Sequence, residues 1–218
     1  MLWLFEDRAD AGRQLAAKLE AYGGRDDVLV LGLPRGGVPV AYEVAVALGA
    51  ALDVLVVRKL GLPQQPELAM GAIASGGALY LNENVLRLAR VSDAVLHAVE
   101  AGERAELARR EKLYRGKRPV PEVRGKTVIV VDDGMATGAS MQVAVMALRS
   151  LQPARIVVAV PVAPADAVRR LADAPDEFVC VLTASDFQAV GQFYRDFEQT
   201  TDKQVRLLLF AHARKATA

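Results

Sequence analysis

Residues 128–140 read VIVVDDGMATGAS, and the reading of this stretch decides the rest. The four apolar residues at its start suit a short strand buried on both faces, as strands are in parallel sheets. Two acids, Asp132 and Asp133, follow at once. A loop of small residues comes next, and then Met141, Val145 and Leu148 recur at helical spacing. The unit is strand, polar loop, helix.

The same unit recurs in both directions along the chain. Residues 28–33 (VLVLGL) form a second apolar run, closed by the loop Pro34-Arg35-Gly36-Gly37 and a helix over about 40–48 that Gly49 ends. Residues 53–57 (DVLVV) form a third and stop at Arg58-Lys59. Two more follow the opening stretch, RIVVAVPV at 155–162 and EFVCVL at 177–182, with a helix through Leu171 between them. Leu15, Leu19 and Tyr22 mark an earlier helix stopped by Gly23-Gly24. Alternating buried strands and helices imply an α/β fold, a parallel five-stranded sheet flanked by helices. Two segments break the pattern. Residues 71–82 carry two short apolar arms around Gly76-Gly77, a hairpin signal. Residues 84–118 are helical and densely charged, which predicts a partly exposed, mobile helix. The core is therefore expected over 1–182, with a flexible loop and hairpin insertion at about 63–118. A small C-terminal hood with a last helix is expected over 183–218.

The bulk numbers narrow the function classes. Hydrophobic residues make up 52% of the 218, enough for a sizeable core. Lys and Arg number 27 against 26 Asp and Glu, a balance that argues against a general nucleic-acid or membrane binder. The single cysteine, Cys180, lies in an apolar run and reads as a small hydrophobe. With no disulfide framework and no visible leader, the expected location is cytoplasmic. His97 and His212 have no acid or cysteine at ligand spacing, so a metal site made by protein alone is not expected.

In open parallel sheets, ligands bind outside the carboxyl ends of the strands. The residues there are Arg35, Gly36 and Gly37, then Arg58 and Lys59, then Asp132 to Ser140. The loop Ala136, Thr137, Gly138, Ala139 and Ser140 opens a helix, so its amides and the positive end of the dipole suit an anion. A plain strand-to-helix turn with Ser140 near the N-cap is the alternative. A nucleoside-triphosphate loop would need a lysine that is missing, and a dinucleotide loop would need its acid further downstream. Acids placed before the loop suit instead the hydroxyl pair of a ribose whose 5-phosphate sits in the loop. They can also stabilise positive charge developing on the sugar ring. The two basic strand ends suit a second anionic group, though each alone also reads as a tight turn or a surface pair.

VIVVDDGMATGAS resembles the PRPP-binding motif of the type I phosphoribosyltransferase family. LPRGG resembles that family's pyrophosphate loop, and VRK its basic pair after the second strand. The likeness runs in order over about 28–182 and is nearest to a bacterial group sharing GLPRGG, VRK and DDGxATGAS. It implies transfer of ribose 5-phosphate from PRPP to a nitrogenous base, with Asp132 and Asp133 on the ribose hydroxyls and residues 136–140 on the 5-phosphate. It further implies Arg35, Gly36, Gly37, Arg58 and Lys59 on pyrophosphate, and Mg²⁺ bound mainly through PRPP. Ala136 departs from the 6-oxopurine enzymes, which carry an acid there. Adenine-like, pyrimidine or unusual acceptors stay open. Phe187, Val190, Phe193 and Tyr194 are candidates to wall in the base, with hood packing as the alternative. Glu67 is left between helix capping and catalysis. Arg109, Arg110 or Lys112 could close over pyrophosphate, in a homodimer if the arm comes from a neighbour. A non-catalytic PRPP- or nucleotide-binding regulatory module is the alternative function.

Overall fold

The five apolar runs become five parallel strands in a computed structural model that describes residues 4–171 and 175–215. The elements are, in order, α1 (Arg8–Lys18), β1 (Val28–Gly32), α2 (Gly37–Leu48), β2 (Ala51–Val54), β3 (Val57–Leu62), β4 (Gln65–Ala74) and β5 (Ala78–Leu81). They continue with α3 (Glu83–Leu88), α4 (Asp93–Arg115), β6 (Thr127–Val131), α5 (Ala139–Ser150), β7 (Arg155–Pro164), α6 (Ala167–Arg170), β8 (Glu177–Ala184) and α7 (Asp202–Lys215). The main sheet runs β2-β1-β6-β7-β8, every neighbouring pair parallel.

Both faces of that sheet are covered, which is why its strands read as unbroken apolar runs. Val28, Val30, Ile129, Val131 and Val157 turn to one face, with Leu15 and Leu19 of the first helical region, Val40 and Val44 of α2, and Val205 and Leu209 of α7. Leu29, Leu31, Val128, Val130 and Val158 turn to the other, against Met141, Val145 and Leu148 of α5. The α5 stripe read from the sequence is thus its buried face.

The insertion is a structured unit. β3, β4 and β5 form an antiparallel sheet, and the turn at Gly76-Gly77 joins the last two as the hairpin signal predicts. Arg58 and Lys59 were expected in a loop after a parallel strand. They lie inside β3, opposite Ile73 and Ala72 of β4, because the chain leaves the main sheet at Val54 and re-enters extended backbone at Val57. The single helix expected over 84–118 is two. Its break is capped: Ser92 accepts a hydrogen bond from the Val95 amide and starts α4 afresh.

α4 is anchored at its end by Arg115, whose side chain is 3% exposed and meets Asp53, 8% exposed, at 2.8 Å. The same guanidinium donates to the Val54 carbonyl at 2.6 Å and pairs with Glu111 at 2.7 Å. Asp53, inside the main sheet, thus takes its cation from the end of the expected flexible segment.

The N-terminal segment and the tail pack together. Phe5 pairs with Tyr194 in a parallel bridge, and Phe187, Val190 and Phe193 gather around Phe5, Tyr194 and Val162. The N-terminal segment therefore belongs with residues 187–197. α7 packs on α2, α4 and β2 and so completes the core flank. No helix among the described residues is long and apolar enough to cross a membrane.

Replacing Arg115 by Met leaves the Asp53 carboxylate buried without its cation. The expected loss is about 3–5 kcal/mol of unfolding free energy, read by urea denaturation followed by circular dichroism.

Candidate functional site

The site is set by register. Gly32 of β1 stands opposite Val54 of β2 and Val131 of β6, so three strands end level. Leu33 continues the ladder by donating its amide to the Val131 carbonyl at 2.8 Å. The turn of residues 34–37 and the acids 132–133 consequently leave the sheet side by side, and they touch. A Cβ at Gly37 would lie 2.6 Å from the Val131 oxygen, and one at Gly36 would lie 2.0 Å from Asp133 Oδ2. At Gly37 the obstruction is backbone, so only glycine fits; at Gly36 a side chain would have to displace the Asp133 carboxylate. The Pro34–Arg35 peptide is cis.

The two acids live in different surroundings. Asp132 Oδ1 accepts the Asp133 amide at 2.9 Å. Burial, and then the neighbouring Asp133 charge, push the Asp132 carboxyl well above the ordinary carboxylate value. Asp133 is raised too, by burial, against the opposing pull of Arg8. Arg8 Nε meets Asp133 Oδ2 at 2.8 Å, with side-chain exposures of 12% and 15%. Its NH1 donates to the Glu198 carbonyl at 2.6 Å, and its guanidinium lies 4.0 Å over the Phe197 ring. The Asp133 carbonyl accepts from the Tyr194 hydroxyl at 2.6 Å. Arg8 is a site residue that the sequence does not reveal, since its partner lies 125 positions away and no local spacing marks it.

The loop behind the acids has the form of an anion seat. α5 starts at Ala139 behind Gly138, which is left-handed at φ 81° and offers no side-chain cap. Ser140 therefore does not cap the helix, and the first turn turns its amides toward a ligand or water. Thr137 Oγ1 accepts the Ala139 amide weakly, at 3.4 Å. Asp132, Ala136, Thr137, Gly138, Ala139 and Ser140 line one cavity of about 190 Å³, which Val190 closes from the tail side.

The other candidates divide. Val190 reaches that cavity. Phe187 and Phe193 stack on each other with centroids 5.5 Å apart. Tyr194, at 2% exposure, is core: its ring lies against Phe5 and Phe197, and its phenol is held protonated by burial and the Asp133 charge. It positions Asp133 and offers no face to a base. Arg58 is turned toward α4 and paired with Glu103. Lys59 lines a cavity of about 280 Å³ that also takes in Ala139 and Gln142, so it stays beside the start of α5. Arg35 leads away from the acids into a separate cavity with Arg109 and Arg110. The side chain of Glu67 lies outside the described residues. Cys180 is an inert thiol, its value pushed up to about 11 by burial.

No group of three or more metal-binding side chains occurs among the described residues. Two carboxylates, one held by Arg8, form a donor set that fits a Mg²⁺ carried in by ligand oxygens and not a cage built by protein.

This chain belongs to the phosphoribosyl transferase domain family, whose model matches residues 5–198. Proteins of two Mycobacterium tuberculosis strains, H37Rv and CDC 1551, which carry the provisional name phosphoribosyl transferase, are 51% identical to it over 203 residues. That alignment covers 93% of this chain but 45% of theirs, so the chain spans about half the length of these curated relatives. The crystal structure of TT1426 from Thermus thermophilus is 46% identical, covers 95% of this chain and 98% of its own, and superposes with a TM-score of 0.84.

A buried carboxyl whose native value is raised stabilises the fold while protonated. That contribution is complete below the ordinary value and is lost as the pH rises through the raised one. Asp132→Asn removes the cost of ionising the group at neutral pH and keeps the acceptor for the Asp133 amide. Its melting temperature at pH 7 should rise by about 2–4 °C for each kcal/mol relieved, and the gain should vanish in scans at acid pH.

Proposed function

We propose that this chain transfers ribose 5-phosphate from PRPP to a nitrogenous base and releases pyrophosphate. The observation that carries the reading is the shared cavity of Asp132 and the loop 136–140, set directly against the glycine turn 36–37. A ribose 5-phosphate fits it with its phosphate on the α5 amides and its hydroxyl edge toward Asp132. Asp133, already on Arg8, is the second contact when the pair opens. The glycine turn then offers its amides to the pyrophosphate, with Lys59 as a nearby cation.

In the reaction the C1–oxygen bond of PRPP breaks and pyrophosphate leaves with the electron pair. A nitrogen of the base forms the new bond to C1 and gives up its proton. The protein's part is positioning and charge. The loop amides fix the 5-phosphate, and the acids hold the ring hydroxyls and face a ring that becomes positive as the bond breaks. Mg²⁺, bound through PRPP, would offset charge on the departing pyrophosphate. Ala136 stands in the cavity where the 6-oxopurine enzymes carry an acid, which argues against a 6-oxopurine and leaves adenine-like, pyrimidine or unusual acceptors open.

A specific contact favours the second reading, a PRPP- or nucleotide-binding module without turnover: Arg8 neutralises one of the two acids. One experiment separates them. Pyrophosphate release is followed with PRPP, Mg²⁺ and a panel of bases, beside PRPP binding by calorimetry. Release with any base supports the transferase. PRPP binding without release for every base supports the module, and no PRPP binding overturns both. A Gly138→Val change strains the left-handed cap and narrows the seat, and should weaken PRPP binding by at least about tenfold. Equal affinity would remove the loop from the site.

A further inference from the structure

Among the buried side-chain nitrogens and oxygens of the described residues, one has no hydrogen-bond partner, Arg118 Nε. No acid among the described residues pairs with its guanidinium either. Buried polar groups of folded proteins are nearly always satisfied, so this nitrogen calls for a partner from outside the chain. Arg118 as a whole is half-buried, which keeps it within reach of solvent.

Its surroundings are cationic. Arg118 follows the end of α4 by three residues and acts electrostatically on His212 of α7. His212 is 9% exposed. It meets Tyr42 of α2 edge-on, with ring centroids 6.3 Å apart, and hydrogen-bonds the Ala50 backbone just before β2. Lys215, also of α7, holds its Nζ 5.7 Å from the centroid of the same Tyr42 ring. Burial lowers His212 below the ordinary imidazole value; the Ala50 bond opposes this, and the charges of Lys215 and Arg118 add to it. Asp53 of the adjoining strand β2 is already taken by Arg115. Two permanent cations and one titratable imidazole thus meet, and no acid among the described residues is paired with any of them.

The cluster is remote from the site described above. β2 runs from Ala51 to Val54, and it is Val54 that ends level with Gly32 beside the glycine turn. Ala50 lies at the other end of the strand. We infer that Arg118, Lys215 and His212 form a phosphate-binding site separate from the cavity at loop 136–140. A phosphate group carries about two negative charges near neutral pH, which matches the two permanent cations. It also has oxygens enough for a guanidinium, an ammonium and an imidazole at once, whereas a carboxylate leaves one cation uncompensated. Bound there, it ties the end of α7 to the segment after α4 and to the turn between α2 and β2. The inference does not rest on the transferase reading. The group has two possible sources, free inorganic phosphate and a phosphomonoester.

The test is an NMR titration of the imidazole signals of the full chain across pH, with and without inorganic phosphate. The chain has two histidines, and His97 is exposed on α4, so it serves as the internal reference; His97→Asn assigns the signals. Phosphate should raise the His212 midpoint, because a neighbouring anion favours the charged imidazole, and should leave His97 in place. Arg118→Met and Lys215→Met should each raise the phosphate concentration for half the effect by at least about tenfold, as expected when a charge-assisted hydrogen bond is removed. Thermal melts establish that both variants fold. Gly138→Val, which narrows the other anion seat, should leave the His212 response intact. A His212 midpoint indifferent to phosphate, or a response unchanged in both folded variants, overturns the inference. So does an equal response to chloride at matched ionic strength, or a response abolished by Gly138→Val. Repeating the titration with glycerol phosphate identifies the source. Half effect at a lower concentration than with inorganic phosphate assigns the site to a phosphomonoester, and the reverse order assigns it to the free ion.

Discussion

The contact between the turn at Gly36-Gly37 and the acids Asp132-Asp133 is the constraint on which the structure depends. It follows from backbone pairing. β1 and β6 are neighbours in register, so the segments leaving them have nowhere to go but alongside each other. The approach leaves no room for a side chain at Gly37 and none at Gly36 while Asp133 holds its place, and it is this closeness that brings two distant motifs together. The helices that follow, α2 and α5, start from these segments and carry the apolar stripes that seal the two faces of the sheet.

The same closeness sets the electrostatics. Two carboxyls are confined in a partly dry space, and burial works against ionising both. Arg8 relieves one of them. It is itself fixed by the Glu198 carbonyl and the Phe197 ring, so its position depends on the tail having packed. Charge at the sheet's end is therefore governed by residues from the chain's first turn of helix and from its tail. Neither belongs to a strand-end motif.

What the sequence made legible is local in character. Buried strands announce themselves by apolar runs, and the loop 136–140 by small residues before a helical stripe; β1, β6, β7, β8 and α5 were all readable in this way. The level ends of β1 and β6 were readable by the rule that parallel sheets bind ligands there. The rest depended on contacts between distant positions. Arg58 looked like a strand-end cation, yet the chain turned into a second sheet and gave it to Glu103. Tyr194 looked like a base contact because an aromatic residue in an irregular tail gives no sign of burial, and Phe5 from the other end of the chain joins Phe197 in burying it. Residues 84–118 looked mobile because their charges dominate, while the decisive residue, Arg115, is one charge among many until Asp53 is placed beneath it. Ser92, the cap that separates α3 from α4, went unread in the sequence because the charged stretch around it runs on as one helical pattern.

The pairing of Phe5 with Tyr194 has a consequence for biosynthesis. The Arg8–Asp133 contact spans 125 positions and the Arg8–Glu198 contact spans 190. Contacts of such separation form late, after the chain between them has been made and ordered. Until residues 194–198 have emerged from the ribosome, Asp133 lacks both its tyrosine and its fully braced arginine. The growing polypeptide thus carries an unfinished acidic pair until translation has passed Glu198.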